Sequence, residues 1–172
     1  MSNLFEHAIG HLRKYYTTQL DVWVAQTSTA PFGFNYVSQS IGVVNLARLT
    51  GEVSLLPVAL LCCLCFVAKG QLIEEAFRIA LNAFEPIVAK KCATAAECRS
   101  ALGRMYKKFK DSVSPIAAVD PFSPYHKMFK THDVCTSCKS MIQERDLHER
   151  RATWARLPEV MGIGPLADWA RA

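Results

Sequence analysis

From Val53 to Ala68 the chain carries no charged side chain, and Pro57 stands near the start of this run of 16 residues. A helix that crosses a bilayer needs about 20 apolar residues, with about 17 as the lower limit. The run falls short of that and contains proline. It therefore reads as a helix buried inside a helical bundle, with Pro57 in the first turn, where its missing N–H costs nothing. A buried helix needs other helices around it, and the rest of the sequence supplies them.

Leu4, Phe5, Ala8, Ile9 and Leu12 recur at helical spacing, so Asn3 to Tyr16 reads as an amphipathic helix. Asp21 is placed to cap a short second helix holding Val22 and Trp23. The stretch Thr27 to Asn35, with Pro31 and Gly33, reads as a loop. Val37, Ile41, Val44 and Arg48 mark a third helix, stopped by Gly51. Gln71 to Ala89 is helical by pattern, with Pro86 bending or ending it. Thr94-x-x-Glu97 is a candidate capping box for a helix running to Asp111, with Leu102, Met105, Tyr106 and Phe109 inward. The segment from Ser112 to Asp133 holds Pro115, Pro121 and Pro124 among Phe122, Tyr125, Met128 and Phe129, and reads as an irregular connection pinned by aromatics. Cys135 to Leu157 reads as one long helix, largely solvated from Gln143 to Arg156 because charges of both signs crowd it. No strand pattern occurs, so the expected class is all-α: an irregular helical bundle.

The first ten residues lack a charged-then-apolar leader pattern, and without a secretory signal cysteines are expected to stay reduced in an intracellular chain. The seven cysteines then point to metal or to core packing. Cys135-Thr-Ser-Cys138 is a C-x-x-C, a spacing at which one tight turn presents two thiolates to one ion. Cys92 and Cys98 form a looser pair on the other side of the proline-rich connection. Zinc takes four thiolate or imidazole ligands in a tetrahedron, so the expected metal ligands are Cys92, Cys98, Cys135 and Cys138 around one structural Zn²⁺. His126 and His132 are the alternatives for one position. Four unrelated buried cysteines is the competing reading. Cys62, Cys63 and Cys65 lie in the apolar run and read as core.

Net charge is +5, which implies no class of partner by itself. Lys90, Lys91, Arg99, Arg104, Lys107, Lys108 and Lys110 nevertheless form a local basic stretch, read first as a solvated helix face. Phosphate-loop, dinucleotide, zinc-protease and nucleophile-elbow motifs are absent. His7 and His11 sit at i, i+4 and read as surface residues. Asp120, His126, His132 and Asp133 have no spacing that fixes an acid–base site. No catalytic residue is expected, and no enzyme.

The run from Ile41 to Leu61, an alanine- and arginine-containing helix followed by Leu55-Leu56-Pro57-Val58-Ala59-Leu60, resembles the segment after the BTB/POZ fold in proteins of mushroom-forming fungi. Two further landmarks fit the resemblance: the Cys92…Cys98 pair followed by Cys135-x-x-Cys138, and the ending Glu149 to Ile163 with Trp154, Leu157-Pro158 and Met161-Gly162. Together they span Ile41 to Ile163. The strands and signature helix of the BTB core have no counterpart here, so its dimerisation and cullin docking are not carried to any residue. The resemblance implies a protein-interaction module of adaptor type, divided as residues 1–90, a BTB-adjacent, BACK-like bundle, and 91–172, a zinc-clipped extension. Its expected partner is a protein or a second copy of the chain, shown to it by the charged helix Gln143–Arg156 and the aromatic connection Phe122–Phe129. A zinc-containing nucleic-acid binder using Lys90–Lys110 is the alternative. No membrane and no small-molecule substrate is expected.

Overall fold

Glycine 51 has φ +76°, the left-handed conformation that ends a helix cheaply when no Cβ is present. It closes α3 (Tyr36–Thr50) and turns the chain through a short 3₁₀ segment, Val53–Leu55, into α4 (Leu56–Val67). The computed structural model describes residues 2–26, 36–67, 74, 78–79, 81–111, 122, 124 and 134–170. Ahead of α3 lie α1 (Ser2–Tyr15) and α2 (Leu20–Gln26). After α4 come α5 (Ala95–Asp111), α6 (Thr136–Ala155) and the one-turn α7 (Leu157–Val160). Among the described residues there is no strand, and the chain is all-α.

Two compact units are formed. The first comprises residues 1–69 and 154–172, the second 70–153. The expected division at 90/91 differs from this one, because the C-terminal segment packs with the N-terminal helices instead of with the cysteines.

In the first unit α4 packs against α3. Leu55, Leu56, Val58, Ala59, Leu61 and Cys62 are all buried, which is why this stretch tolerates no charge. No helix among the described residues is long and apolar enough to cross a membrane. Leu61→Ala should lower stability by about 3 kcal/mol, since the lost methyls leave a cavity. Leu49→Ala, at a site 87% exposed, should stay within about 0.5 kcal/mol. Urea denaturation compares the two, and equal effects would deny α4 its place in the core.

The same unit is closed by tryptophans. Trp154, at the end of α6, stacks between Trp23 and Trp169, with ring centroids 6.3 Å and 5.4 Å away. Its indole N–H donates to the Thr18 carbonyl at 2.8 Å, and the Trp169 indole N–H donates to the Trp154 carbonyl at 2.6 Å. Buried indoles need such acceptors. The Tyr16 and Ser40 hydroxyls pair 3.1 Å apart, joining the end of α1 to α3.

The second unit departs from expectation in two places. The helix expected from Gln71 to Ala89 stops at residue 83, with a turn at Phe84 and non-helical chain from Glu85 to Ala89. Pro86 disfavours helical geometry at Glu85 and supplies no N–H, so the helix ends before it. The charged part of α6 is also less solvated than its composition implies. Cys138, Ile142, Asp146, Arg150 and Thr153 are all buried and follow one another at helical spacing, so one stripe of α6 faces inward. Asp146 and Arg150 pair within that stripe. The guanidinium donates to Asp146 Oδ2 from Nη2 at 3.0 Å and from Nε at 3.2 Å, and Nη1 donates to the Phe122 carbonyl at 3.4 Å. Phe122 is itself fully buried, so it is not part of an exposed aromatic surface. Tyr125, His126, Met128, Phe129, His132 and Asp133 lie outside the described residues.

Candidate metal centre

The core of the second unit holds Ile79, Ala83, Phe84, Ala101, Leu102, Met105, Val134 and Ile142, and two of its members are cysteines, Cys98 and Cys138. Cys92 and Cys135 pack against its edge, half-buried. All four sulfurs lie within 4.8 Å of one another. Thiolates bound to one zinc at about 2.3 Å stand about 3.8 Å apart along a tetrahedron edge. The Cys92 and Cys135 sulfurs are 3.6 Å apart. The donor set is therefore the right size for one tetrahedral ion. The four cysteines of the two pairs are brought together, close enough to hold one metal ion.

Local structure explains how each sulfur gets there. Cys135 directly precedes α6 and Cys138 lies in its first turn. The C-x-x-C thus straddles a helix N-terminus, where free N–H groups and the helix dipole favour anions. Cys98 lies in the first turn of α5, and its amide donates to the Thr94 carbonyl at 2.9 Å. The Thr94 hydroxyl lies 3.3 Å from Cys98 Sγ, so the residue expected to cap α5 is turned toward the sulfurs. Cys92 sits on the turn where its amide donates to the Ala89 carbonyl at 3.0 Å. That turn exists because the preceding helix stops early.

Two of the sulfurs also receive a backbone N–H. Ala89 donates to Cys138 at 3.4 Å, and Cys135 donates to Cys98 at 3.3 Å. The Thr94 N–H lowers the Cys92 thiol, and the Cys138 N–H lowers the Cys135 thiol. N–H groups aimed at sulfur stabilise thiolate and orient it, the supporting shell that metal ligands require. Sequence reading singled out the four cysteines but not Ala89 or Thr94 beside them. Thr94 was legible as a cap, whereas Ala89 gives no signal in its side chain.

The thiols respond unequally. The Cys138 N–H, and then the neighbouring sulfurs, bring the Cys135 thiol down to about 6 against the opposing effect of burial. Burial pushes Cys138 up to about 12, and burial also raises Cys92. Without a cation, four negative charges cannot share so small a volume, and most protons stay. A divalent ion supplies the missing positive charge and displaces them, so uptake releases protons and weakens on acidification.

Cys62 is buried and Cys63 half-buried in α4, where burial raises the Cys63 thiol, in keeping with core packing. The side chain of Cys65 lies outside the described residues. His7 and His11 are exposed, and the His11 ring meets Tyr15 edge-on at 5.2 Å. A cleft lined by Asn82, Glu85, Glu144, Arg145, His148 and Glu149 has its central carboxylate occupied: Glu149 Oε2 accepts from Arg78 at 2.7 Å and from Asn82 at 3.1 Å. No protein-family model, curated protein or solved structure matches the chain.

Proposed function

We propose that this chain is a non-catalytic protein-interaction module whose second unit is held in shape by one structural zinc ion. The observation that carries the reading is the convergence of four sulfurs within 4.8 Å, two of them receiving a backbone N–H. Four thiolates leave no coordination position open for water or substrate, which fits a structural site and not a catalytic one. Zinc fits better than magnesium or calcium, which take oxygen ligands. Free thiols at the described cysteines fit an intracellular, reducing compartment.

Support for a protein partner comes from the first unit. Leu4, Ile41 and Leu49 are 80%, 60% and 87% exposed, and Phe5 and Val53 are exposed as well. Large apolar side chains left to solvent are available to a protein partner. The resemblance to the region after a BTB fold points the same way. Its landmarks coincide with elements that have structural work here: Leu55-Leu56-Pro57 opens the buried helix, and Trp154, Leu157 and Pro158 are buried. The metal's contribution is pre-organisation. It fixes the start of α6, so the ordering entropy of that helix is not charged against binding.

Metal content by mass spectrometry, together with capture of partner proteins on the immobilised chain, tests this. Cys135→Ser should lose zinc and weaken capture, whereas Cys62→Ser should keep zinc. Unchanged zinc and capture in Cys135→Ser would overturn the proposal, as would turnover of a substrate by the purified chain.

A further inference from the structure

The stretch from Lys90 to Asp111 holds seven basic residues against two acidic ones, an excess equal to the net charge of +5 of the entire chain. The remaining residues balance. Lys90, Lys91, Arg99, Arg104, Lys107, Lys108 and Lys110 are all exposed. On α5, at 3.6 residues per turn, Cys98, Ala101, Leu102 and Met105 form the buried face. Arg99 and Lys110 fall along one edge of the opposite face, Arg104 and Lys108 along the other, and Lys107 between them. Among the described residues no carboxylate pairs with Lys107, Lys108 or Lys110.

Part of this charge belongs to the metal centre. Four thiolates and one divalent ion carry a net charge of about −2, and Lys91, Arg99 and Lys139 are sequence neighbours of three ligands. Lys107 to Lys110 stand about 14–18 Å along the helix from Cys98, beyond the screening length of about 8 Å at physiological salt. The cluster does not account for them. Lys108 and Lys110 lie in the last turn of α5, where the helix dipole favours cations, but like charges at i, i+3 and i, i+4 repel by a similar amount, so helix stability gives no clear reason for this density.

We infer that the exposed face of α5 binds the phosphate backbone of a nucleic-acid duplex, independently of base sequence and separately from the protein contact proposed above. Arg104, Lys107, Lys108 and Lys110 place four cations within about 9 Å of helix axis, a density that suits a duplex, which bears one phosphate per about 1.7 Å. Between the charges lie Ala96, Ser100 and Gly103, where a Cβ built on Gly103 would meet nothing within 4 Å, and the exposed carboxylates of Glu97 and Asp111 share the Arg104 side of the face. The middle of the face is therefore low and open to close approach. Among the described side chains this middle presents no aromatic platform for unstacked bases and no large apolar group to enter a bilayer or anchor a protein partner. The apolar side of α5 that would otherwise enter a bilayer is occupied by the core.

Fluorescence anisotropy of the zinc-loaded full chain with a labelled DNA duplex and a labelled RNA duplex tests the site. Four phosphate contacts give a slope of log K on log salt of about −3.6 for the DNA duplex, or about 150-fold weaker binding at 200 mM than at 50 mM salt. Lys107→Gln with Lys108→Gln should shift that slope to about −1.8. Arg104→Gln with Lys110→Gln should do the same, and circular dichroism should show α5 intact in both. The duplex arms tell DNA from RNA through the shared phosphate chemistry. A slope near zero, an unchanged slope in both variants, or tighter binding to polyglutamate or to phosphatidylserine vesicles would overturn the inference.

Discussion

Stripping the metal with a zinc chelator is expected to unfold the second unit. The binding free energy of a structural zinc site is about 10–16 kcal/mol at neutral pH, and most of it is released as folding energy. Whole domains are stable by only about 5–15 kcal/mol, so a unit that loses this term has little left. The core it would leave behind is small and contains two of the ligands, Cys98 and Cys138. Hydrogen exchange reads the effect where it should be strongest. The amides of Ala89 and Cys135 donate to sulfur, those of Thr94 and Cys138 lower the neighbouring thiols, and all four should lose protection on chelation. Trp23, Trp154 and Trp169 all belong to the first unit, so tryptophan fluorescence follows that unit separately. Cys138→Ser should reproduce the chelated state, because a serine hydroxyl at a fully buried position is a poor zinc ligand. Full protection of these four amides in chain shown to be metal-free would refute a structural role for the ion.

Asp146→Ala should cost about 3–5 kcal/mol, the usual consequence of leaving one partner of a buried ion pair without its counter-charge. Both side chains are almost wholly buried, with Asp146 at 0% and Arg150 at 5%. The guanidinium would keep only the Phe122 carbonyl among the contacts described above. Removing both charges in Asp146→Leu with Arg150→Met should come close to neutral, since the desolvation penalty disappears together with the attraction. The pair Arg13–Glu52, with Arg13 52% exposed, gives the contrast. Its removal should change stability by less than about 1 kcal/mol, because water screens it. Urea denaturation followed by circular dichroism measures all three. A loss below 1 kcal/mol in Asp146→Ala would mean that Arg150 reaches solvent or another acceptor when its partner is gone.

Local pattern determined the parts of this protein that depend on local physics. An uncharged run had to be buried, and α4 is. Gly51 was the only residue at hand able to end α3 in a left-handed turn, and it does so at φ +76°. The two cysteine pairs had the chemistry for one ion, and their sulfurs meet within 4.8 Å. What the tertiary structure decided was partner choice across distance. Asp146 and Arg150 read as solvated because charge normally seeks water, yet they pair with each other inside a stripe set by Cys138 and Ile142. Only the neighbouring elements determine that this stripe faces inward. The end of the helix at residue 83 was signalled by Pro86, but not that the released turn would aim the Ala89 amide at Cys138. The division into units was hidden for a similar reason. Trp154 is bound to Thr18 by its indole hydrogen bond and to Trp23 by ring stacking, contacts that span most of the chain, and Trp169 stacks on Trp154 in turn. Contacts between residues that far apart leave no periodicity in a sequence, because the fold alone brings them together.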